Sequence, residues 1–564
     1  MKIIVGKFSG FCIGVKKAIY RISKELNSND KPMIYGEIIH NPQTVSVLNF
    51  RGLKKIPDLK SIDNRKIAIR THGIPFRELK DINKRALQTI NLTCSKVARV
   101  QGIIKKYSGE GFFTVILGDK NHAEVESLKS YAKTGYIVIS KLEELAGLEK
   151  NKRMILVSQT TLNTDFFREC ENYLQKNSFE IKIFNTICDS TQNRQNELLS
   201  YIDLGVNKVV VIGGKNSGNT KRLAEISGDR GISTFLIEDA SEIEEKYFER
   251  NDRVFVTAGA STPSWIINNV IAKLHYIKNM KSNFFLKFLF ILNLSFQKLK
   301  MAEIISGMFI LGLVSVISGT EYSLNFYLLA AFLLLLANIV FSLQSSFVLP
   351  SQGIENKAGR YVPSVLIFLS IFTLLLNYFT EKNIFVTLLV FLVLIFMISI
   401  FLSGRLPVII SNKFLLLLCS RNISGSLLIT MIIYSLYNND FSIADIFLAS
   451  EIFLLFYIKN SIIELINYEK DIITGNQTAF TLFGKKEVIK FICIAVFLIT
   501  TGNILYTFKL SGFIMIFTIL DIIYLTMMFY LFRIYYLYEL KFKIISDYVL
   551  IGFIGLIILL DHIV

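Results

Sequence analysis

Gly10-Phe11-Cys12-Ile13-Gly14-Val15-Lys16-Lys17-Ala18-Ile19 forms the first polar loop and runs directly into a helical pattern. Its cysteine is the first of three that organise everything before about residue 280. Cys12, Cys94 and Cys188 lie 82 and 94 residues apart, and each is followed 28 or 29 residues later by a polar loop after an apolar run. Those loops are His40-Asn41-Pro42, His122-Ala123-Glu124 and Asn216-Ser217-Gly218-Asn219. One α/β unit used three times accounts for the spacing. A single buried cysteine is more often an apolar filler, but three in register with polar loops point to thiolates converging on one metal centre.

Outward from each cysteine the pattern repeats. The first unit reads as a helix over 15–26, a strand over 32–36 and a second strand, Lys66-Ile67-Ala68-Ile69-Arg70, that delivers Thr71-His72-Gly73. In the second unit a helix follows Cys94, a buried strand spans 112–117, and Arg153-Met154-Ile155-Leu156-Val157 delivers Ser158-Gln159-Thr160-Thr161. The third has a helix from about Gln192, a β-branched strand over 208–212, and Arg253-Val254-Phe255-Val256 delivering Thr257-Ala258-Gly259-Ala260-Ser261. Alternating strands and helices imply parallel sheets, whose ligands bind beyond the carboxyl ends of the strands. All six polar loops fall there, so a pseudo-threefold α/β domain aims every one of them inward.

A chain of 564 residues is too long for one core, and its character changes near residue 280. Beyond that point apolar stretches recur at about 18 to 25 residues, the length needed to cross a bilayer. The first half is therefore expected to be soluble and the second a membrane bundle. Residues 1–5 read as a strand rather than a signal peptide, which places the first half in the cytoplasm as an expectation. Six scattered cysteines do not make a disulfide framework. The net charge of +17 has a simpler source in cytoplasmic loops than in nucleic-acid binding, for which no helix-turn-helix, zinc-finger spacing or ribonucleoprotein motif is present.

Three thiolates are one short of the usual set for an iron–sulfur cluster, and close-spaced ferredoxin runs are absent. A four-iron cluster on three cysteines leaves one iron open to substrate, as catalytic metals keep an open position. Zinc is the rival, although catalytic zinc favours histidine or carboxylate ligands at short local spacing. The surrounding loops are rich in His, Ser, Thr and Asn and poor in carboxylates, which suits an anion such as a phosphate. Gly213-Gly214-Lys215-Asn216-Ser217-Gly218-Asn219-Thr220 lacks the Gly-Lys-Ser/Thr order of a nucleotide P-loop. Glu124 is the one carboxylate beside a loop histidine and hence the natural proton donor. The chain has five histidines, and three of them (His40, His72 and His122) stand at equivalent loop ends.

Gly10-Phe11-Cys12-Ile13-Gly14-Val15, Ile39-His40-Asn41-Pro42, Thr71-His72-Gly73, His122-Ala123-Glu124-Val125-Glu126, Gln159-Thr160-Thr161, Thr186-Ile187-Cys188, Asn193-Arg194-Gln195, Lys215-Asn216-Ser217 and Ala258-Gly259-Ala260-Ser261 together resemble, in order over about residues 1–275, the 4-hydroxy-3-methylbut-2-enyl diphosphate reductase (IspH/LytB) family. That resemblance implies an iron–sulfur oxidoreductase of the last step of the non-mevalonate isoprenoid pathway. Its [4Fe-4S] cluster and an electron donor such as ferredoxin or flavodoxin remove the substrate's allylic hydroxyl, giving isopentenyl and dimethylallyl diphosphate. Carried over, the cluster ligands are Cys12, Cys94 and Cys188, and the proton donor is Glu124. The diphosphate lies among His40, His72, His122, Ser217, Gly218, Asn219 and Ser261, with Thr160 near the reacting hydroxyl and Thr191 nearby. Two positions depart from the family pattern. Thr93-Cys94-Ser95-Lys96 stands where many relatives have proline and leucine after the cysteine, and Gly218 where some have serine.

The second half reads as a basic interfacial segment over 278–300, separating a domain over 1–277 from a membrane domain over 301–564. About nine helices are expected, at 303–319, 323–345, 361–379, 384–403, 413–437, 441–465, 487–508, 511–535 and 544–562. Basic residues concentrate in alternate connections, as the positive-inside rule requires of a bundle whose N-terminal domain is cytoplasmic. The loops Asn356-Lys357-Ala358-Gly359-Arg360 and Glu464-Leu465-Ile466-Asn467-Tyr468-Glu469-Lys470-Asp471 resemble the UbiA family of membrane prenyltransferases, which bind prenyl diphosphate through Mg2+ on two aspartate-rich motifs. Where the first motif belongs, 345–353 contains no carboxylate; the second survives as Glu464, Asn467 and Asp471. A non-catalytic anchor or scaffold in the lipid bilayer and an altered prenyltransferase are both consistent with half a metal site.

Overall fold

The computed structural model describes residues 1–282 except 63, 150, 151 and 178, together with 287, 443–475, 478–490 and scattered positions between 492 and 549. The chain divides into two compact units, Met1–Ser282 and Asn283–Val564.

In the first unit twelve strands form three four-stranded sheets with every described pairing parallel. One sheet has the order β3 (Lys54–Lys55), β2 (Met33–Tyr35), β4 (Lys66–Ile69), β5 (Gln88–Asn91). The next has β7 (Tyr136–Ile139), β6 (Phe113–Leu117), β8 (Met154–Ser158), β9 (Ile181–Ile183). The third has β11 (Ser233–Ile237), β10 (Lys208–Ile212), β12 (Arg253–Ala258), β1 (Lys2–Val5). The three orders superimpose element for element, so the threefold repeat expected from cysteine spacing is a repeat of sheets. The sequence did not indicate that β1 completes the third sheet, with Ile3 opposite Val254. The stretch before Cys12 is thus the strand that the last unit lacks.

Burial explains why these strands are nearly continuous apolar runs. In the second sheet Val115, Leu117 and Leu156 pack toward α6 (Thr164–Lys176), through Phe167, Cys170 and Leu174. The alternate residues Ile116, Ile155 and Val157 pack toward α4 (Ser95–Gly109) and α5 (Ala123–Lys129), through Val100, Ile104, Val125 and Leu128. A sheet covered on both faces has no solvent side to reserve for polar residues. Parallel pairing then requires a crossover between neighbours, and each crossover helix begins at a carboxyl strand end.

The remaining helices of this unit are α1 (Ile13–Glu25), α2 (Pro42–Phe50), α3 (Phe76–Arg85), α7 (Asp189–Asp203), α8 (Gly218–Asp229) and α9 (Ser264–Met280). Helix α7 starts three residues before Gln192 because Cys188 itself caps it. Gly73 takes a left-handed φ of +71°, and a Cβ there would lie 2.6 Å from Gln101 Nε2, so the turn carrying His72 accepts only glycine.

In the second unit, α10 spans Ile443–Thr474 and α11 spans Ala479–Phe483. Most of the nine expected spans, with the motifs at 345–353 and 356–360, lie outside the described residues. Among the described residues no helix is long and apolar enough to cross a membrane; the sequence of α10 includes Asp445, Glu451 and Lys459. The stretch from Glu464 to Asp471, read above as a loop, is helical instead. Glu464 and Asp471, seven residues apart, are only 5% and 8% exposed, and a seven-residue interval puts them on one helix face.

Leu156 is fully buried at the centre of β8. Leu156→Ala is expected to destabilise the first unit by about 2–5 kcal/mol. The midpoint of urea unfolding, read by fluorescence of Trp265, the single tryptophan, measures it, because that residue is 8% exposed on α9.

Candidate metal and anion site

Each of the three cysteines stands at a helix N-cap: Cys12 for α1, Cys94 for α4 and Cys188 for α7. Each backbone amide is held the same way. Cys12 N–H donates to Ala260 O at 3.0 Å, Cys94 N–H to Thr71 O at 2.9 Å and Cys188 N–H to Thr160 O at 2.9 Å. The acceptors lie in the loops after β12, β4 and β8, the middle strand beside each cysteine's own strand. The repeat therefore extends to individual hydrogen bonds.

The three thiols are free and line one cavity, whose empty volume is about 730 Å³ counted to its open mouth. His40, His72, His122, Glu124, Thr160, Thr191, Ser217, Gly218, Asn219 and Ser261 line the same cavity, so every residue singled out from sequence converges there. Thr71, Lys96 and Thr161 also line it and were not singled out. Lys96 carried a usable signal, being two residues past Cys94. Its Nζ lies 2.7 Å from Asp189, the residue after Cys188, and both side chains are too exposed for the pair to contribute much stability.

A cluster on three thiolates fits these residues. The cysteines provide soft donors and, among the described residues, no fourth cysteine lines the cavity, while helix N-termini favour thiolates. Burial pushes the Cys94 and Cys188 thiols up, and nearby amides, those of Lys96 and Val97 and of Ser190 and Thr191, act in the opposite direction. Gly14 leaves room for them: a Cβ there would lie 2.6 Å from Cys94 Sγ and 3.9 Å from Cys12 Sγ.

The histidines form a second group. Their ring centroids lie 4.6 Å apart for His40 and His72, 5.5 Å for His72 and His122, and 5.9 Å for His40 and His122. One nitrogen of each lies within 4.8 Å of the others, an arrangement compatible with a metal. Hydrogen bonding favours an anion instead. His122 caps α5 by accepting the Glu124 amide on Nδ1 at 3.1 Å, so its neutral ring carries the proton on Nε2, where it donates and does not ligate. Burial, then the neighbouring His40, lowers the pKa of His122 to about 4 and that of His72 well below its usual value. The Asn219 carboxamide, 4% exposed, has no partner among the described residues for either polar atom. Ser261 lines the cavity, and its hydroxyl also donates to His40 O at 3.2 Å, which ties two loops of the cavity together.

Glu124 is 1% exposed and accepts Thr160 N–H at 2.7 Å and Thr160 Oγ at 2.9 Å. Burial raises its pKa to about 7, against the lowering effect of both hydrogen bonds.

Residues 3–275 match the family model described as LytB protein. A 4-hydroxy-3-methylbut-2-enyl diphosphate reductase from Geobacter sulfurreducens is 38% identical over 281 residues, which is 50% of this chain and 99% of that protein. The chain belongs to the LytB family. A reductase of the same name from Helicobacter pylori is 39% identical over 49% of this chain and 100% of its own length. A solved structure of the (E)-4-hydroxy-3-methyl-but-2-enyl diphosphate reductase, described as the terminal enzyme of the non-mevalonate pathway, is 35% identical with a TM-score of 0.39, covering 49% of this chain and 99% of that one. The two sequence relatives are named as reductases, and the LytB unit of this chain is an oxidoreductase. Each relative is spanned almost completely by the first unit, and the match ends before α9 does.

The buried ionisable groups of this LytB unit have opposite linkage to folding. Glu124 has a native pKa above its unfolded value of about 4.5, so its contribution is lost as pH rises through about 7. His72 and His122 have lowered pKa values, so theirs is lost as pH falls from about 6.5. Urea unfolding of wild-type and Glu124→Gln chains from pH 4.5 to 8 separates the two. The stability of wild type relative to the variant is expected to fall with rising pH by up to about 1.4 kcal/mol per unit until pH 7, and parallel profiles would contradict a buried, protonated Glu124.

Proposed function

We propose that the first unit removes the allylic hydroxyl of (E)-4-hydroxy-3-methylbut-2-enyl diphosphate, consuming two electrons and two protons, releasing water and giving isopentenyl and dimethylallyl diphosphate. The observation that carries this reading is the convergence of three cysteines, each at a helix N-cap, and one buried, proton-holding carboxyl on a single cavity. Cys12, Cys94 and Cys188 are the proposed ligands of a [4Fe-4S] cluster, which when bound supplies electrons and a Lewis-acid iron at its open position.

The chain's own residues then have distinct tasks. The Nε2–H of His122, the Asn219 carboxamide, Ser217 and the backbone amides of the first turn of α8 bind the diphosphate, with His40 and His72 beside them. An arriving anion raises the lowered pKa values of the buried His72 and His122. Ser261 holds the His40 loop in place. Glu124 keeps a proton near pH 7 and stands 2.9 Å from Thr160 Oγ, whose hydroxyl donates to it; with the hydroxyl turned to accept from the protonated carboxyl, Thr160 passes its own proton to the departing hydroxyl. Thr191, 3% exposed, closes the wall near Cys188. The electrons come from a one-electron donor such as ferredoxin or flavodoxin in the cytoplasm.

Anaerobically prepared wild-type chain is expected to contain iron and sulfide and to turn over the substrate with a chemical reductant, while Cys12→Ser loses cluster and turnover together. Glu124→Gln should keep the cluster but lose about 10²-fold or more in kcat. The wild-type kcat should fall as pH rises through about 7, as the acid form of Glu124 is lost. Activity in an iron-free chain would refute the reading.

We further propose that residues 301–564 form a UbiA-like membrane domain of altered metal site, anchoring production of the C5 diphosphates beside a prenyl-lipid pathway. The burial of Lys459, Glu464 and Asp471 on α10 favours a polar interior over a bare anchor. The full chain is expected to stay in the membrane pellet after alkaline carbonate extraction, and a chain ending at Ser282 to remain soluble and active. Transfer of labelled prenyl diphosphate with Mg2+ to any lipid would make the domain an enzyme; its absence makes it a scaffold.

A further inference from the structure

Six residues after Cys188, Arg194 lies on α7 with 3% of its surface exposed. Its guanidinium donates from Nη2 to Gly10 O at 2.6 Å, from Nη1 to Ser190 O at 2.7 Å, and from Nε to Ala258 O at 3.3 Å; Nη1 also bonds Ser190 Oγ. Gly10 precedes Cys12 by two residues, Ser190 follows Cys188 by two, and Ala258 ends β12 two residues before the carbonyl that receives the Cys12 amide. One turn further along α7, Glu197 accepts Lys7 N–H at 2.6 Å and Phe8 N–H at 3.2 Å from the same loop. The helix capped by the third cysteine therefore grips the loop that carries the first.

We propose that Arg194 is a positioning residue that holds Cys12 and Cys188 at a set separation and places a permanent positive charge beside the thiolate cradle. A guanidinium has a planar fork that can serve three carbonyls at once, and it stays charged when buried. A lysine has one small head and cannot bridge the same segments. Its hydrogen-bond partners are three carbonyls and a hydroxyl, which satisfy its donors without neutralising the cation; the Glu197 carboxylate one turn along acts on it through space. Its carbonyl partners lie two residues from Cys12 and from Cys188, and the Cys12 and Cys188 thiolates, with Glu197, act to raise its pKa against the larger, opposite effect of burial. A fixed cation favours whichever state of a bound cluster holds one more electron.

This inference rests on the reading of the cysteines as cluster ligands, and two measurements on the full chain separate them. In the metal-free chain, hydrogen–deuterium exchange should accelerate in peptides covering 7–12 and 186–192 for both Arg194→Lys and Arg194→Met, while peptides of β6 and β8 keep wild-type protection. In the cluster-loaded chain, EPR-monitored titration should show Arg194→Met with about a tenfold lower ratio of reduced to oxidised cluster at a fixed applied potential, equivalent to about 59 mV, and Arg194→Lys close to wild type. Wild-type exchange in the lysine variant would overturn the positioning role, and an unchanged potential in the methionine variant would overturn the charge effect. Should the methionine variant fail to fold, as Trp265 fluorescence would reveal, the loss of β-sheet protection in it but not in Arg194→Lys supports the charge as essential, and the lysine variant decides positioning alone. A wild-type chain that takes up no cluster refutes the cysteine reading and leaves the exchange result standing.

Discussion

Three backbone hydrogen bonds of 2.9 to 3.0 Å, one from each cysteine amide to the loop after the neighbouring strand, join the sheets of this protein to its chemistry. A parallel sheet delivers all its strand ends to one side. Tying the loop after an edge strand to the loop after its neighbour turns that side into a wall. Repeated in three sheets, the bond gives three walls, each contributing one thiol at a helix N-cap. Donors needed on a common centre thus come from rigid elements, and Gly14 is small because Cys94 Sγ occupies the space its side chain would take.

The cavity that results has few compensating charges, and burial is the largest influence on the protonation of Glu124, His72 and His122 inside it. Glu124 is driven toward the acid form while His122 and His72 are driven toward the neutral form. Low dielectric disfavours charge of either sign. Burial therefore holds a proton on the carboxyl up to about pH 7 and keeps His72 and His122 uncharged. Outside the cavity lining, the buried Arg194 guanidinium remains ionised, and its carbonyl partners are Gly10 and Ser190, each two residues from a cysteine, and Ala258 at the end of β12.

Much of this was legible in the chain. The recurring cysteines, the polar loops after apolar runs and the match of motifs in order located thirteen residues that all line one cavity. Less legible were contributions made by backbone geometry. The joining of β1 to the last sheet could not be read from residues 1–5, because the partner lies about 250 residues away. Lys96 and Arg194 belong to helices whose starting points depend on which residue caps them. On α10, Glu464 and Asp471 read as a polar loop and are helical and buried, because apolar residues between them at helical spacing outweigh local polarity.

The sequence by itself determined the composition of the site, since thiols, imidazoles and a lone carboxyl are supplied by residue identity and their loops by hydrophobic patterning. It also determined the break in character near residue 280. Only the tertiary structure decided which atoms face one another: that His122 offers Nε2–H because its Nδ1 caps α5, that Ser261 serves the His40 loop, and that α7 links the first and third cysteines. These choices depend on distances between segments tens to hundreds of residues apart, and pattern along a chain carries period and polarity but no such distances.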